Sequence, residues 1–211
     1  MSANQGGMGF FERNRSSLAE RGIDPARLPP GQYFTERFPV LHVGDVAEFA
    51  PDGSDWSLTV GGLVGETKTF TWADLVALPA TEIVTDIHCV TKWSKFDTRW
   101  RGTRVRDLLA ACGGPLAGAT HVVETAEHGY TTNLPLVDVL GDDALVAYEY
   151  DGAPIEPVHG GPVRLVVPHL YFWKSAKWLR RIDLLDHDEL GFWERNGYHA
   201  YGDPFREQRY S

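Results

Sequence analysis

The sequence is poor in the residues that staple small secreted domains: among 211 residues only Cys89 and Cys112 are cysteines. Their separation rules out a CxxC redox pair or zinc knuckle. Two thiols can close one disulfide, but nothing else here marks a disulfide-built domain. GxGxxG and GxxxxGKS/T are both missing, so neither dinucleotide nor P-loop phosphate binding has a foothold. The histidines lack HExxH and HxH spacing, which argues against zinc, and no CxxCH is present to attach haem. No apolar run approaches membrane-spanning length. Positive charge is also short: 20 Lys and Arg against 29 Asp and Glu leave a net charge of −9. Such a chain is a poor partner for nucleic acid or an anionic membrane, although a small basic pocket inside it is compatible with that balance. Residues 1–17 show no apolar h-region, twin arginine or cleavage pattern, so the sequence reads as soluble and cytoplasmic.

What is present is ample core material. Hydrophobic residues make up 43% and charged residues 23%, with seven Trp, ten Phe and eight Tyr. That suits one folded domain, alone or with an arm. Residues 1–35 read as an irregular arm broken by Gly6, Gly7, Gly9, Pro25, Pro29, Pro30 and Gly31, with one or two helical turns at Ser16–Arg21. WSLTVGGLV from Trp56 alternates as a strand should. TWADLVALP reads as a short helix with Thr71 as N-cap, Asp74 at the third position and Pro79 as terminator. TEIVTDIHCV is a strand that delivers Cys89, RVRDLLAACGG a helix stopped at Gly113, and HVVETA a strand. LPLVDVL is a helical turn or two, and ALVAYEYDG a strand into a turn. PVRLVVPHLYFW and KWLRRIDLLDH are strongly β-forming. Strands outnumber short, scattered helices, which predicts an α+β fold with a mixed β-sheet.

Two stretches carry chemistry. Cys89 stands at a strand end between His88 and Lys92, where a neighbouring cation would favour the thiolate, the form that attacks and ligates. The plain alternative is a buried structural cysteine, which is how Cys112 reads. Around Cys89 runs a block of cations (Lys92, Lys95, Arg99, Arg101, Arg104, Arg106), read either as an anion site or as a solvated face. The second stretch is HGGPVRLVVPHLYFWKSAKWLRRI. Gly160 and Gly161 permit close backbone approach to a ligand, and Arg164, Lys174, Ser175 and Lys177 can complete a phosphate or pterin cradle. Each lone residue is equally readable as a surface charge.

These blocks resemble the molybdopterin-binding core of the sulfite-oxidase superfamily. HGGPVRLVVP, KSAKWLRRIDL, a single Cys followed by WRGTRVRDLLAACGG, and the order of elements carry the resemblance over about residues 38–186. CVTKWS is similar to the CVxxWS of the methionine-sulfoxide-reductase branch and unlike the CxGNRR of animal and plant sulfite oxidases. The resemblance implies the sulfite-oxidase fold, with a catalytic domain over 36–186 and a C-terminal arm, 187–211, packed on it. It implies molybdenum held by one mononucleotide-free molybdopterin and by Cys89. His159, Arg164, Ser175, the backbone at Ala176, Lys177 and Thr125 would contact the pterin, joined by Arg37, Phe38 and His42 from the N-terminal stretch. Tyr130 falls near the family's active-site tyrosine, or is a core aromatic. The paired arginines of sulfite oxidases are replaced by Lys92 and Trp93, which puts sulfite in doubt.

The implied activity is two-electron oxygen-atom transfer to or from a small S-oxide, N-oxide or sulfite-like substrate, with Lys92 or Arg99 holding its oxygen. Electrons would be exchanged with a separate flavoprotein or cytochrome. The competing readings are a Cys89 nucleophile with His88 or His128 as base, a non-catalytic molybdopterin-binding module, and a metal-free interaction domain. The aromatic arm GFWERNGYHAYGDPFREQRYS reads as a wrap over the domain or a docking surface.

Overall fold

The computed structural model describes residues 9–211. An 11-residue helix, α1 (Phe10–Glu20), leads through a turn into the two-residue strand β1 (Tyr33–Phe34). Strands β2 (Ser57–Gly62) and β3 (Lys68–Thr71) form a hairpin that runs into α2 (Trp72–Ala77). A longer hairpin follows, β4 (Ala80–His88) and β5 (Trp93–Arg104), and then α3 (Val105–Ala110). Next come β6 (His121–Ala126), β7 (Thr131–Pro135) and α4 (Leu136–Val139), then β8 (Leu145–Tyr150) and β9 (Ala153–Pro154). The chain closes with β10 (Arg164–Val166), β11 (Leu179–Leu185) and α5 (Phe192–Arg195).

Two sheets result. One runs β1-β5-β8-β10, with β4 also on β5 and β9 on β8; the other runs β3-β2-β11-β6-β7. Both are mixed: β1 lies parallel to β5, and β11 is parallel to β2 but antiparallel to β6. The expected α+β fold with a mixed β-sheet and short helices is what forms. The main core takes Leu58 and Val60 from β2, Val122 from β6, Leu165 from β10, Ile182 and Leu184 from β11, and Leu108 and Leu109 from α3. Burying side chains of this size contributes about 1.5–3 kcal/mol each. A second cluster gathers Ile87, Cys89, Trp93, Trp100, Tyr171 and Phe172 around the turn that follows β4. α2 starts as its sequence dictates, with the Thr71 hydroxyl accepting from Asp74 N and the Asp74 carboxylate accepting from Thr71 N.

Three segments differ from expectation. Residues 10–20 of the supposedly irregular arm are helical: Glu12 accepts from Gly9 N at 2.9 Å, and Arg15 donates to the Pro25 carbonyl at 3.0 Å. Gly6 and Gly7 lie outside the described residues. The stretch PVRLVVPHLYFW is a strand over only three residues. Pro168 has no N–H to continue a ladder, and the chain turns into a 3-10 turn at Phe172–Lys174. The cationic block from Lys95 to Arg104 is the 12-residue β5. Its inward positions are Phe96, Thr98 and Trp100, and its outward ones Asp97, Arg99 and Arg101.

Candidate active site

β4 ends at His88, and Cys89 opens a tight turn in which Lys92 N donates to the Cys89 carbonyl at 3.0 Å and Cys89 N to Trp93 O at 2.9 Å. The thiol is 8% exposed and lies in the wall of a cavity of about 430 Å³. Thr91 Oγ1 donates to Cys89 Sγ at 3.2 Å. Burial pushes the thiol's pKa up, while Thr91 and the charge of Lys177 pull the other way. His88 points elsewhere: it is buried, its Nδ1 meets Ser94 Oγ at 2.8 Å, and burial lowers its pKa to about 4. It is therefore a neutral core histidine that does not line the cavity, which removes it as a base for Cys89.

Opposite the thiol, the loop after β10 lines the cavity with Ser175, Ala176 and Lys177. Arg164 reaches the cavity from a fully buried position and donates to His159 O at 2.7 Å, Ser175 O at 2.9 Å and Leu165 O at 3.3 Å. Its guanidinium lies 4.0 Å from the Phe172 ring centroid, and burial lowers its pKa to about 9, leaving it a cation at neutral pH. Lys177 Nζ donates to Val158 O at 2.6 Å. Burial and then Arg164 bring the lysine down to about 7, opposed by Cys89. The Ser175 hydroxyl oxygen accepts from Val167 N at 2.9 Å, and Ala176 N donates to the buried Glu124 carboxylate at 3.2 Å. Phe38 stacks on His159 with ring centroids 4.0 Å apart and an interplanar angle of 7°. His42 stands exposed at the cavity mouth, edge-on to Trp178 at 5.9 Å. Tyr130 lines the cavity with its hydroxyl donating to Trp173 O at 2.7 Å, and burial raises the phenol's pKa well above its usual value.

Cys89, Phe38, His42, Tyr130, Arg164, Ser175, Ala176 and Lys177 are thus brought to one cavity, with His159 directly behind Phe38. Four candidates are not. Lys92 has φ 78°, which turns its side chain outward until Nζ lies 5.9 Å from the Phe11 ring. Arg99 is on the outward face of β5 and pairs with Glu82 at 3.4 Å. Arg37 is exposed and lies off the cavity. Thr125 belongs to the face of β6 opposite Val122, Glu124 and Ala126, the residues that point to the core. The two glycines also act differently from expectation. A Cβ at Gly160 would meet Lys177 Cβ at 2.8 Å, and one at Gly161 the Ile155 carbonyl oxygen at 1.9 Å. They let the HGG turn lie against the chain's own loops. Lys174, read as a cradle donor, is wholly buried and pairs with Glu194 at 2.6 Å.

Sequence reasoning missed the cavity's aromatic wall, Trp93, Trp178, Trp193 and Tyr198. Trp193 and Tyr198 belong to the C-terminal arm, whose richness in aromatics was the available signal.

The wall has a surplus of donors. Trp93 Nε1 is buried without a partner among the described residues, as is His159 Nδ1. Arg164 uses one N–H in each of its three bonds, leaving two of five. A soft thiol beside spare N–H groups, the Arg164 cation and a lysine that an anion would hold protonated fits a group that is rich in acceptors, anionic, and carries a thiophilic metal. A two-sheet α+β domain with this cleft is a receptacle for a bound, anionic cofactor held at a thiol.

Comparison with known proteins makes that specific. Residues 44–193 match the family described as Oxidoreductase molybdopterin binding domain, and the chain belongs to it. It is 49% identical to an uncharacterised oxidoreductase of Bacillus subtilis (strain 168), YuiH, over 96% of this chain and 98% of that protein. A putative protein-methionine-sulfoxide reductase subunit of Azospira oryzae, YedZ1, is 28% identical over 85% of this chain and 70% of the other. The mitochondrial sulfite oxidase of Drosophila melanogaster is 27% identical, and the match spans 84% of this chain but 35% of that protein. Among solved structures, the sulfane dehydrogenase SoxCD from Paracoccus pantotrophus shares the fold, with a TM-score of 0.61 at 23% identity over 68% of this chain and 41% of that one. The chain is a molybdopterin-dependent oxidoreductase of the sulfite-oxidase type, and its cofactor is molybdenum carried by molybdopterin. No helix among the described residues is long and apolar enough to cross a membrane.

Proposed function

We propose that this oxidoreductase transfers an oxygen atom to or from a neutral, dipolar S-oxide or N-oxide, with Cys89 as the protein's ligand to molybdenum. The observation that carries the reading is the single thiol, Cys89, in the same cavity wall as Arg164, Ser175 and Lys177. When bound, the molybdenum–pterin group supplies two-electron chemistry at an oxygen atom. The chain's own residues do the rest. Cys89 offers a soft ligand, and Arg164 and Lys177 present positive charge to the pterin's anionic end. Phe38, backed by His159, walls the ring system, and Tyr130, Trp193 and Tyr198 exclude water from the substrate side. The mononucleotide-free form of the pterin belongs to this reading.

Outward-facing Lys92 and Arg99 favour a neutral oxide over sulfite, because a dianion needs free cations beside it. The kinship with a putative protein-methionine-sulfoxide reductase subunit points the same way, and that relative's description as a subunit supports a separate flavoprotein or cytochrome as electron partner. Both cysteines are free, which suits a reducing, cytoplasmic setting; cell fractionation tests the location.

The test is metal analysis with pterin fluorescence on protein from a cofactor-competent host, beside Cys89→Ser. About one molybdenum and one pterin per chain, an altered metal spectrum in the variant, and turnover of sulfoxides or N-oxides above sulfite are expected. Metal-free, pterin-free protein overturns the reading, and turnover of sulfite alone overturns the substrate preference.

A further inference from the structure

We propose that Gln32 is the positioning residue of Cys89, which makes the N-terminal segment 28–35 part of the active site. The inference rests on the reading of Cys89 as the metal's ligand. Gln32 lies outside the stretch 44–193 that matches the family, and its sequence neighbourhood gives no hint of a role. In the fold it is 0% exposed, and its Nε2 donates to the Cys89 carbonyl at 3.0 Å.

A carbonyl only accepts, so this bond fixes the amide's orientation. Gln32 Oε1 then turns away from Cys89; it and the nearby Tyr171 hydroxyl are both buried without a hydrogen-bond partner among the described residues. Tyr171 is held in turn by Arg209, whose guanidinium lies 5.4 Å from its ring centroid and donates to Pro30 O at 3.1 Å. Pro30 and Arg209, 179 positions apart, therefore meet behind the turn that carries Cys89. β1 completes the clamp, with Tyr33 N donating to Lys92 O at 2.8 Å and Thr35 N to Ser94 O at 2.9 Å.

The turn needs such a clamp. Lys92 sits at φ 78°, a left-handed conformation that L side chains disfavour and that persists where the surroundings over-determine it. The remaining restraints on the Cys89 peptide are backbone bonds, and Gln32 makes the one side-chain bond to it among the described residues. The direction of Cα–Cβ follows from the Cys89 backbone, so an amide that pins this carbonyl fixes the base from which the χ1 rotamer aims the sulfur at the metal. Sub-ångström placement of this kind is what supporting residues around a metal ligand provide.

The test uses Gln32→Met, which keeps length and loses the donor, and Tyr171→Phe, which keeps the donor and removes the hydroxyl beside the amide. In cofactor-free protein, iodoacetamide alkylation is followed separately at Cys89 and Cys112 by peptide mass spectrometry. Loss of one net hydrogen bond predicts a rise of about 5-fold at Cys89 in Gln32→Met and a smaller rise in Tyr171→Phe, with Cys112 unchanged. In the loaded protein, both variants retain molybdenum but shift the electron paramagnetic resonance of the reduced metal and its midpoint potential. Wild-type alkylation with an unchanged spectrum overturns the proposal, and so does a parallel rise at both cysteines, which signals general loosening. Should Gln32→Met not fold, Tyr171→Phe decides by the same two readouts. If wild-type protein takes up no molybdenum, the reading of the site fails, whereas the alkylation comparison still tests the clamp.

Discussion

Lys174 and Glu194 show how one pair of residues ties the cavity wall together. Neither side chain is exposed, and Lys174 Nζ also donates to Asn133 O at 2.9 Å, Asn133 Oδ1 at 2.8 Å and Ala200 O at 2.5 Å. Glu194 accepts from Trp173 Nε1 at 2.8 Å and from Thr132 Oγ1 at 3.1 Å. Removing one partner of such a pair leaves an uncompensated buried charge, which costs about 3–5 kcal/mol. Lys174→Met is therefore expected to lower stability by that amount in chemical denaturation, and adding Glu194→Leu to recover part of the loss. A double-variant loss equal to the sum of the two single losses would show that the residues act independently. In the sequence, Lys174 looks the same as Lys177, three residues on. Which lysine faces the cavity and which turns into the core is set by the 3-10 turn at Phe172–Lys174 and by an acid from a distant arm.

At the scale of elements, sequence reading did best where a segment's own chemistry decides its form. The Thr71/Asp74 capping box, the alternation of β2 and the turn at Asp151-Gly152 all stand as expected. It was least decisive on β5, whose outward Lys and Arg read either as an anion site or as a solvated face. The inward alternation Phe96, Thr98, Trp100 was present, but charge obscured it, and the anions that satisfy Arg99 and Arg101 come from β4 and β8. The C-terminal arm is latched at another contact, where Asp138 Oδ1 lies 3.0 Å from His169 Nε2 and accepts from the Tyr201 hydroxyl at 3.2 Å. The hydrogen bond to Asp138 raises the pKa of His169 above its usual 6.5, against the effect of burial. A raised folded pKa means the fold binds the proton more tightly than the unfolded chain does. This contribution is fully present below 6.5 and is lost as pH rises through the folded value. On top of the opposite trend set by His88 and Lys177, whose folded pKa values lie below their unfolded ones, His169 should accordingly subtract a small amount of stability between about pH 6 and about pH 8, because it is partly exposed. His169→Asn should abolish that subtraction; an identical slope in the variant would remove the latch from the account.

For the whole molecule, the cleft joins segments far apart in sequence: the loop after β1, the turn after β4, the loop after β10 and the C-terminal arm. A ligand that bridges them binds only the folded state and stabilises it by mass action. Protein from a host without the pterin should therefore melt at a lower Tm than the loaded form, by several degrees or more, as followed by calorimetry. A Tm that does not depend on loading would mean the cofactor contacts too few of these segments to couple to folding.

The sequence by itself determined the α+β class, the boundaries of most elements and the family, and it singled out Cys89, Arg164, Ser175 and Lys177, which the fold brings to one cavity. These follow from local periodicity, capping and turn chemistry, and from motifs carried on short stretches. Only the tertiary structure decided that Lys92 and Arg99 face solvent, that Thr125 lies on the far face of its strand, that Gly160 and Gly161 serve the chain's own packing, and that Gln32 reaches Cys89. The physical reason is the same in each case. Which way a side chain points depends on strand register and on partners dozens of residues away, and the hydrogen bond from Gln32 to Cys89 spans 57 positions.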